Sequence, residues 1–399
     1  MKVCMLAYAH YLNDARIKCY VSTLVDNGHE VDVIALRFEG EPKTEALATG
    51  TIFRIMDKYQ GHSAFMYVWS YLQFLIKAFL FLTVRAFRNR YEVIHVHNMP
   101  NVLVYCAAVP RLLGARLILD VHDLMPVNYM AKFGAGERDL PVLLLKIEQW
   151  FSALFVHRMI CADHNQQDYL AVHCGIPRDK ITVFMNLPYT GVFGNPPTEP
   201  RNTNGKFRIV YHGTIAHRLG IDLILRAVAK ASESVPADLW IYGGGDFLPD
   251  ALQLSSELDL NEKVHFSKSF FPVEQIPTMV AGMDMGIIGN RRNLACEKYM
   301  LPVKLLEYVY LNLPVVAPRL EIIGRYFDDS MVRFYESENV EEMAEAIVYL
   351  YRHKEERERL ANSAAMFYQK YNIQAQASSY LDLLAAPKLQ MQALPEHHG

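Results

Sequence analysis

A chain of 399 residues with 51% hydrophobic and 21% charged residues has apolar material for two packed cores, and lies far from the core-poor composition of disordered chains. A formal net charge of -3 excludes a general nucleic-acid binder, which needs a large positive surface to neutralise phosphates. Six scattered cysteines without a C-x-x-C pair read as reduced thiols and not a zinc centre, and the amino terminus runs into a strand pattern without the apolar region or cleavage site of a secretory leader, so the expected residence is the cytoplasm.

Residues 2–8 form a short apolar run, followed by a polar loop at Asn13-Asp14 and a helix-period segment reaching Val25. After Asn27-Gly28-His29 comes a second apolar run, 31–36, which completes a βαβ unit. Runs 93–96 and 115–121 repeat the short, continuous apolar pattern of parallel strands buried on both faces. A proline-rich stretch at 195–205 interrupts the pattern and is the linker candidate. The cycle then restarts, with strands expected at 207–211, 239–242, 264–266, 283–288, 314–317 and 331–335, and helices at 220–231, 303–311 and 340–353. The expected fold is α/β, two Rossmann-like domains in tandem, over residues 1–195 and 205–370. A last helical pattern at 373–384 is expected to pack back on the first domain within 371–390, with the chain end frayed.

Ligands of doubly wound domains sit at the carboxyl ends of the strands, so the loops there carry the candidate chemistry. Asp14 and Arg16 occupy the first such loop, and Asp120-Val121-His122-Asp123 ends a strand with polar residues. Asp120 reads as a cap or turn residue, and His122 either as a structural histidine or as a donor to a sugar hydroxyl. Tyr211-His212-Gly213-Thr214 ends another strand before a helix, where backbone N–H groups and Arg218 suit a diphosphate, although an ordinary glycine turn has the same pattern. Gly243-Gly244-Gly245-Asp246 lacks the dinucleotide spacing and reads as a close approach to a nucleotide or as a flexible turn. Lys304 and Glu307 stand three apart at a helix start behind Pro302, either as an ammonium for phosphate and a carboxylate for ribose hydroxyls, or as a solvated ion pair.

Taken in order, these loops resemble glycosyltransferase family 4, the retaining sugar-nucleotide transferases of the GT-B fold. The resemblance rests on Asp14-Ala-Arg16 with Gly28-His29-Glu30-Val31-Asp32-Val33, on Asp120 to Asp123, on Tyr211 to Thr214, on Tyr242 to Gly245, and on Pro302-Val-Lys304-Leu305-Leu-Glu307-Tyr308 running on to Leu313-Pro314-Val315-Val316-Ala317. It implies two domains facing across a cleft and a nucleoside-diphosphate sugar donor, commonly a UDP-sugar. It places Glu307 on the ribose, Lys304 and Arg218 on the diphosphate, Gly213 and Thr214 as its backbone cradle, with Gly243, Gly244, Gly245 and Leu305 beside the donor. His122 and Asp123 become the catalytic positions, Asp14 and Arg16 the acceptor-side loop, and no cofactor or catalytic metal is expected. The chain departs from the family pattern at Tyr299, where a glutamate eight residues before Glu307 is usual, with Glu297 the nearest carboxylate. Thr214 and Leu219 also replace basic residues, which leaves Arg218, Lys304 and Arg291 or Arg292 to supply positive charge.

Residues 65–84 hold a single charge, Lys77, and approach the length of a membrane span. Ser70, Gln73, Lys77, Arg85 and Arg88 recur at helical spacing as a narrow polar stripe, favouring a buried or in-plane amphipathic helix. With Tyr67, Trp69, Tyr71 and Phe74 and the arginines through Arg90, the segment 65–90 suits an anionic membrane surface, and hence a saccharide or lipid-linked acceptor. The competing readings are a GT-B sugar-nucleotide epimerase or hydrolase, a metal hydrolase built on His122-Asp123, and a catalytically silent nucleotide-binding module.

Overall fold

The computed structural model describes residues 1–38, 40–59, 61, 63–194 and 206–385. The linker candidate at 195–205 and the frayed chain end lie outside the described residues. The chain divides into two compact units, one of Met1–Pro126, Gly136–Phe184 and Gln376–Gly399, the other of Val127–Ala135 and Met185–Ala375. The main division thus falls at Phe184, upstream of the proline-rich stretch.

The first unit is built on an eight-stranded sheet of β1 (Lys2–Ala7), β2 (Glu30–Arg37), β3 (Thr44–Leu47), β4 (Gly50–Asp57), β5 (Val93–His97), β6 (Arg116–Val121), β7 (Arg158–Cys161) and β8 (Ile181–Val183). Its order is β3-β4-β2-β1-β5-β6-β7-β8, parallel except for the β3–β4 edge pair. Helices cover both faces, so β1 buries Val3, Cys4, Met5 and Leu6 completely instead of alternating inside and outside. All six cysteines are buried and free.

The second unit carries β9 (Phe207–His212), β10 (Ala237–Tyr242), β11 (Val264–Phe266), β12 (Met285–Ile287), β13 (Val315–Pro318) and β14 (Arg333–Tyr335), all parallel, in the order β11-β10-β9-β12-β13-β14. Helix Ile221–Ala231 lays Ile221, Ile224, Leu225 and Val228 on the sheet, and helix Val340–Arg352 adds Met343, Ile347 and Leu350. Each buried aliphatic side chain there contributes roughly 1.5–3 kcal/mol. In both units the winding reverses beside the first strand, between β1 and β5 and between β9 and β12, which is where doubly wound sheets hold ligands.

Helix Ala64–Arg88 corrects the sequence reading of its own faces. It packs by Ser70, Phe74, Ala78, Leu82 and Ala86, a four-residue ladder that is buried throughout, and Ser70 is bonded to the Tyr8 hydroxyl at 2.8 Å. Ser70 therefore belongs to the buried ladder and not to a polar stripe. Outside the ladder most of the exposed side chains are apolar, Phe65 at 75%, Val68 at 67% and Phe87 at 67%, with Gln73, Lys77 and Arg88 the exposed polar ones. It is long and apolar enough to cross a membrane by length and composition alone. The carboxyl-terminal helix, Ile373–Ala385, buries Tyr380 and Leu384, and the Tyr380 hydroxyl lies 2.9 Å from His95 Nδ1.

Candidate functional site

The carboxyl ends of β5 and β6 bring three titratable side chains, His95, His97 and Asp120, into the interior of the first unit. His95 and His97 alternate with valine on a strand buried on both faces, and Asp120 lies beside them with no exposure. Arg16, expected on an acceptor-side loop, is itself buried: Nε donates to Asp120 Oδ2 at 2.8 Å, Nη2 to Oδ1 at 2.7 Å, and Nη1 to the Phe184 carbonyl at 2.6 Å. Asp14 caps the helix that positions Arg16, accepting from the Ile17 N–H at 3.0 Å. These two residues hold the core and the helix start, so their chemistry here is structural. His122 Nε2 stands 3.2 Å from Asp120 Oδ2 and 3.0 Å from His97 Nδ1, and its side chain alone in this cluster reaches the surface, 21% exposed. Asn98 fixes the tip, accepting from the His122 N–H at 2.7 Å and donating to the Asp123 carbonyl at 2.8 Å. Among the described residues Asp123 takes part only through its backbone; Asp120 is the carboxylate the imidazoles gather around, not the cap or turn residue that local pattern suggests.

His95, His97 and Asp120 have the composition of a metal-ligand set. Both Asp120 oxygens are already bound by the Arg16 fork, which puts a fixed cation where a metal would sit. Burial pushes the Asp120 carboxyl up, and Arg16 with His122 and His97 outweighs it, so the carboxyl is held well below its usual range. Burial drives His95 well below the ordinary imidazole value, with His97 adding repulsion, and lowers His97 against the pull of Asp120. Both histidines are therefore neutral in the fold and gain a proton on unfolding below about pH 6.5. Stability is expected to fall as the pH drops through that value, by up to about 1.4 kcal/mol per pH unit for each imidazole. Calorimetric melting at pH 7.5 and 5.0 measures this, and His95→Gln should flatten the dependence.

The second unit gathers its polar groups at the end of β9 and on helix Val303–Tyr310, which starts behind Pro302. Glu307 is buried on the inner face of that helix, and His212 Nε2 donates to its Oε2 at 2.5 Å. Among the described residues its other oxygen has no hydrogen-bond partner. His212 is oriented by Tyr308, whose hydroxyl lies 3.0 Å from His212 Nδ1, accepts from the His212 N–H at 3.1 Å and donates to the Val210 carbonyl at 3.2 Å. Lys304 Nζ donates to the Tyr211 hydroxyl at 3.1 Å and lies 4.3 Å above the ring, while that hydroxyl donates to the Thr214 carbonyl at 2.6 Å. Lys304 and Arg218 make no ion pair among the described residues. Burial lowers Lys304 to about 8, with Glu307 opposing and Arg218 reinforcing the shift. An anion bound there would relieve the repulsion between the two cations.

The other sequence-picked residues divide. Gly213, Thr214, Arg218, Lys304 and Glu307 belong to this one neighbourhood, with Gly243 packed against Gly213. Leu305 is fully buried, so its side chain serves packing and not donor contact. Arg291 is taken up by Asp222 and by Glu338 at 2.9 Å, and Arg292 by Glu297 at 3.0 Å, which removes both from the supply of free charge. Tyr211, His212 and Tyr308 lie in segments that carry the sequence pattern but have no role of their own in it; they hold Lys304 and Glu307 in place, and His95 and His97, which lie outside that pattern, do the same around Asp120.

Gly243 has φ +155°, and a Cβ there would meet the Gly213 carbonyl oxygen at 1.9 Å. Gly213 itself, at φ +107°, lies beneath the Lys304 side chain. The two turns are thus in backbone contact, and Gly243→Ala is expected to destabilise the second unit by about 1–3 kcal/mol through overpacking. Denaturant unfolding checks this, and an unchanged midpoint would contradict the close approach.

Residues 19–186 match the model described as Glycosyltransferase Family 4, and residues 206–353 the model described as Glycosyl transferases group 1. No curated protein sequence matches the chain. Among solved structures, the sucrose-phosphate synthase of Thermosynechococcus elongatus superposes with TM-score 0.74 at 14% identity, covering 97% of this chain and 100% of that one. Anabaena HepE in complex with UDP and glucose gives TM-score 0.70 at 12% identity, covering 96% and 99%. TarM of S. aureus gives 0.69 at 9% identity, covering 96% and 100%. These likenesses are likenesses of fold, and with the two family matches spanning both units the chain is a glycosyltransferase of the GT-B fold and belongs to glycosyltransferase family 4.

Proposed function

We propose that the protein transfers a sugar from a UDP-sugar, with retention of configuration, to a saccharide or lipid-linked saccharide in surface polysaccharide or glycoconjugate synthesis. The observation that carries the donor assignment is the grouping of two cations without carboxylate partners, Lys304 and Arg218, beside the Gly213 turn and a buried carboxylate with one free oxygen, Glu307. Lys304, Arg218 and the Thr214 N–H hold the diphosphate and stabilise the negative charge that grows on it as the glycosidic bond breaks, while the Gly213 N–H, donated to the Tyr242 carbonyl at 2.8 Å, fixes the turn beneath it. Glu307 accepts from the ribose hydroxyls. His122, anchored by Asp120, offers an imidazole to a hydroxyl of the transferred sugar. The choice of uridine draws support from HepE, whose structure holds UDP and glucose on the same fold. No metal is required in this scheme, because Lys304 and Arg218 supply the positive charge that the leaving diphosphate needs.

The panel that tests it is thermal melting with UDP, GDP, ADP and their sugar conjugates, since a ligand bound only by the folded state raises the midpoint. A shift confined to the uridine compounds supports the reading; a shift only with guanosine or adenosine compounds overturns the donor assignment. Because Lys304 titrates near 8 and a bound diphosphate favours its charged form, UDP affinity is expected to fall by up to about tenfold per pH unit above that value. Calorimetric titration between pH 7 and 9 measures the fall, and Lys304→Met should abolish it.

We place the protein in the cytoplasm, on the inner face of a membrane. Helix Ala64–Arg88 contains no acidic residue, and a second helix, Leu140–Phe155, exposes Leu140, Leu144, Ile147, Phe151 and Leu154. Both pack on the turn Asn101–Ala107, with the Cys106 thiol donating to the Leu75 carbonyl and Tyr105 against Phe155, so their apolar faces flank one segment. Trp69 and Trp150 on these faces suit the headgroup region of a bilayer. Failure to co-sediment with anionic liposomes at low salt would remove the membrane from the proposal.

A further inference from the structure

A groove of about 790 Å³ lies in the first unit between β4 and helix Ala64–Arg88, apart from the histidine cluster and from the donor residues. Its size is that of a small-molecule site. One end is basic. Of the arginines lining the groove, Arg37 at this end is neutralised by Asp57 through two bonds of 2.5 and 2.7 Å, Arg54 by Glu41 at 3.1 Å and Glu45 at 2.6 Å, and Arg85, next to Val84 on the helix, by Asp32 at 3.5 Å. Lys43 and Lys77 are exposed and make no ion pair among the described residues; since Glu41 and Glu45 both face Arg54, the five cations stand against four carboxylates and the surplus is one positive charge, carried at the two unpaired ammonium groups. Hydrogen bonds from Arg37, with Lys77 and Lys43 adding their fields, hold Asp57 below its usual range, which places both ammonium groups at the same end of the groove.

The other end is apolar. Leu80 and Val84, one helical turn apart, form a wall that is 56% and 51% exposed, and it runs on into the open face of the same helix at Ile76 and Leu72. A soluble metabolite would leave that wall wet, and a bare phosphate would not reach it. A ligand with a phosphate at one end and an alkyl chain at the other satisfies both ends.

We propose that this groove is a binding site for an anionic amphiphile, its phosphate between Lys43 and Lys77 and its chain along Leu80 and Val84. The proposal deepens the membrane reading of this helix and rests on it, yet a short-chain probe tests it without a bilayer. The probe is dihexanoyl phosphatidylglycerol below its micellar concentration, titrated calorimetrically into the full-length protein, with dihexanoyl phosphatidylcholine and inorganic phosphate as comparisons. Saturable binding of the phosphatidylglycerol is expected, at least tenfold tighter than either comparison. K43Q/K77Q should weaken it at least tenfold, and Leu80→Asn should weaken it while leaving inorganic phosphate unaffected. The lysine side chains are exposed, so the melting temperature of K43Q/K77Q should match the parent. The proposal is overturned if the double variant binds as tightly as the parent, if inorganic phosphate binds as tightly as the lipid, or if the lipid does not bind. UDP titrated into the same samples separates this failure from failure of the donor site, because neither lysine belongs to the second unit.

Discussion

Replacing Arg16 by methionine is expected to destabilise the first unit by about 3–5 kcal/mol, the loss that follows when one partner of a buried ion pair is removed. Methionine fills much of the same volume, so the loss comes from Asp120, which keeps its charge without exposure and without the two charge-assisted bonds of 2.7 and 2.8 Å. The nearest substitutes for the guanidinium are the imidazoles of His122 at 3.2 Å and His97 at 3.4 Å. A proton on His97 would restore a cation beside the carboxylate. The variant should therefore recover stability as the pH falls from 8 to 6, opposite to the parent, whose buried histidines resist protonation. Pairing the change with Asp120→Asn removes both charges and should return most of the loss. Calorimetric melting of the four proteins across that pH range reads both effects. A loss below about 1 kcal/mol, the worth of an exposed pair, or a double variant no better than the single one, would show that Arg16 and Asp120 do not act together. The functional cost follows from geometry, since Asp120 anchors the one imidazole of the cluster that reaches the surface.

This pair also marks the limit of what the chain discloses before folding. Parallel strands between helices are continuous apolar runs closed by Gly, Asn or Pro, so the expectation at 264–266 coincides with β11, and the helix expected at 220–231 differs from the observed one by a residue. The donor-side residues are legible for a related reason: Tyr211 to Thr214 and Pro302 to Tyr308 each hold their polar groups within one short segment. Arg16 and Asp120 stand 104 positions apart, and neither segment says that the other will close over it. Local pattern consequently treats Arg16 as a loop cation. His95 and His97 do carry a signal, two polar residues at alternate positions of a strand whose every neighbour is buried, where an uncompensated imidazole would be costly. The β3–β4 edge pair is harder, because β3 is short and polar and the pair buries only Ile52 and Arg54 deeply, the arginine held by Glu41 and Glu45. Helix Leu140–Phe155 is apolar on most of its circumference, so periodicity alone gives it no face.

Glu307→Ala is expected to weaken UDP binding by about 3–6 kcal/mol, upward of a hundredfold, if its carboxylate accepts from two ribose hydroxyls at about 1.5–3 kcal/mol each. Its setting suits that task. Burial excludes competing water, His212 fixes one oxygen at 2.5 Å, Tyr308 fixes His212 in turn, and the remaining oxygen is left open to a ligand. Glu297 is the counter-case. It occupies the neighbourhood where the family pattern has its first glutamate, but its carboxylate is spent on Arg292 at 3.0 Å and on the Glu321 N–H at 3.3 Å. Glu297→Ala breaks an exposed pair worth about 0–1 kcal/mol and should change UDP affinity by less than about fivefold. Glu307→Gln should fall between the two, since the amide keeps the shape and one acceptor but loses the charge. Titration calorimetry with UDP on the three variants decides the matter, with melting temperatures recorded to show that each is folded. Equal losses at Glu307 and Glu297 would mean that the ribose is held by a different carboxylate; a loss at Glu307 alone, measured at pH 7 where Lys304 stays largely charged, would tie helix Val303–Tyr310 to the nucleotide.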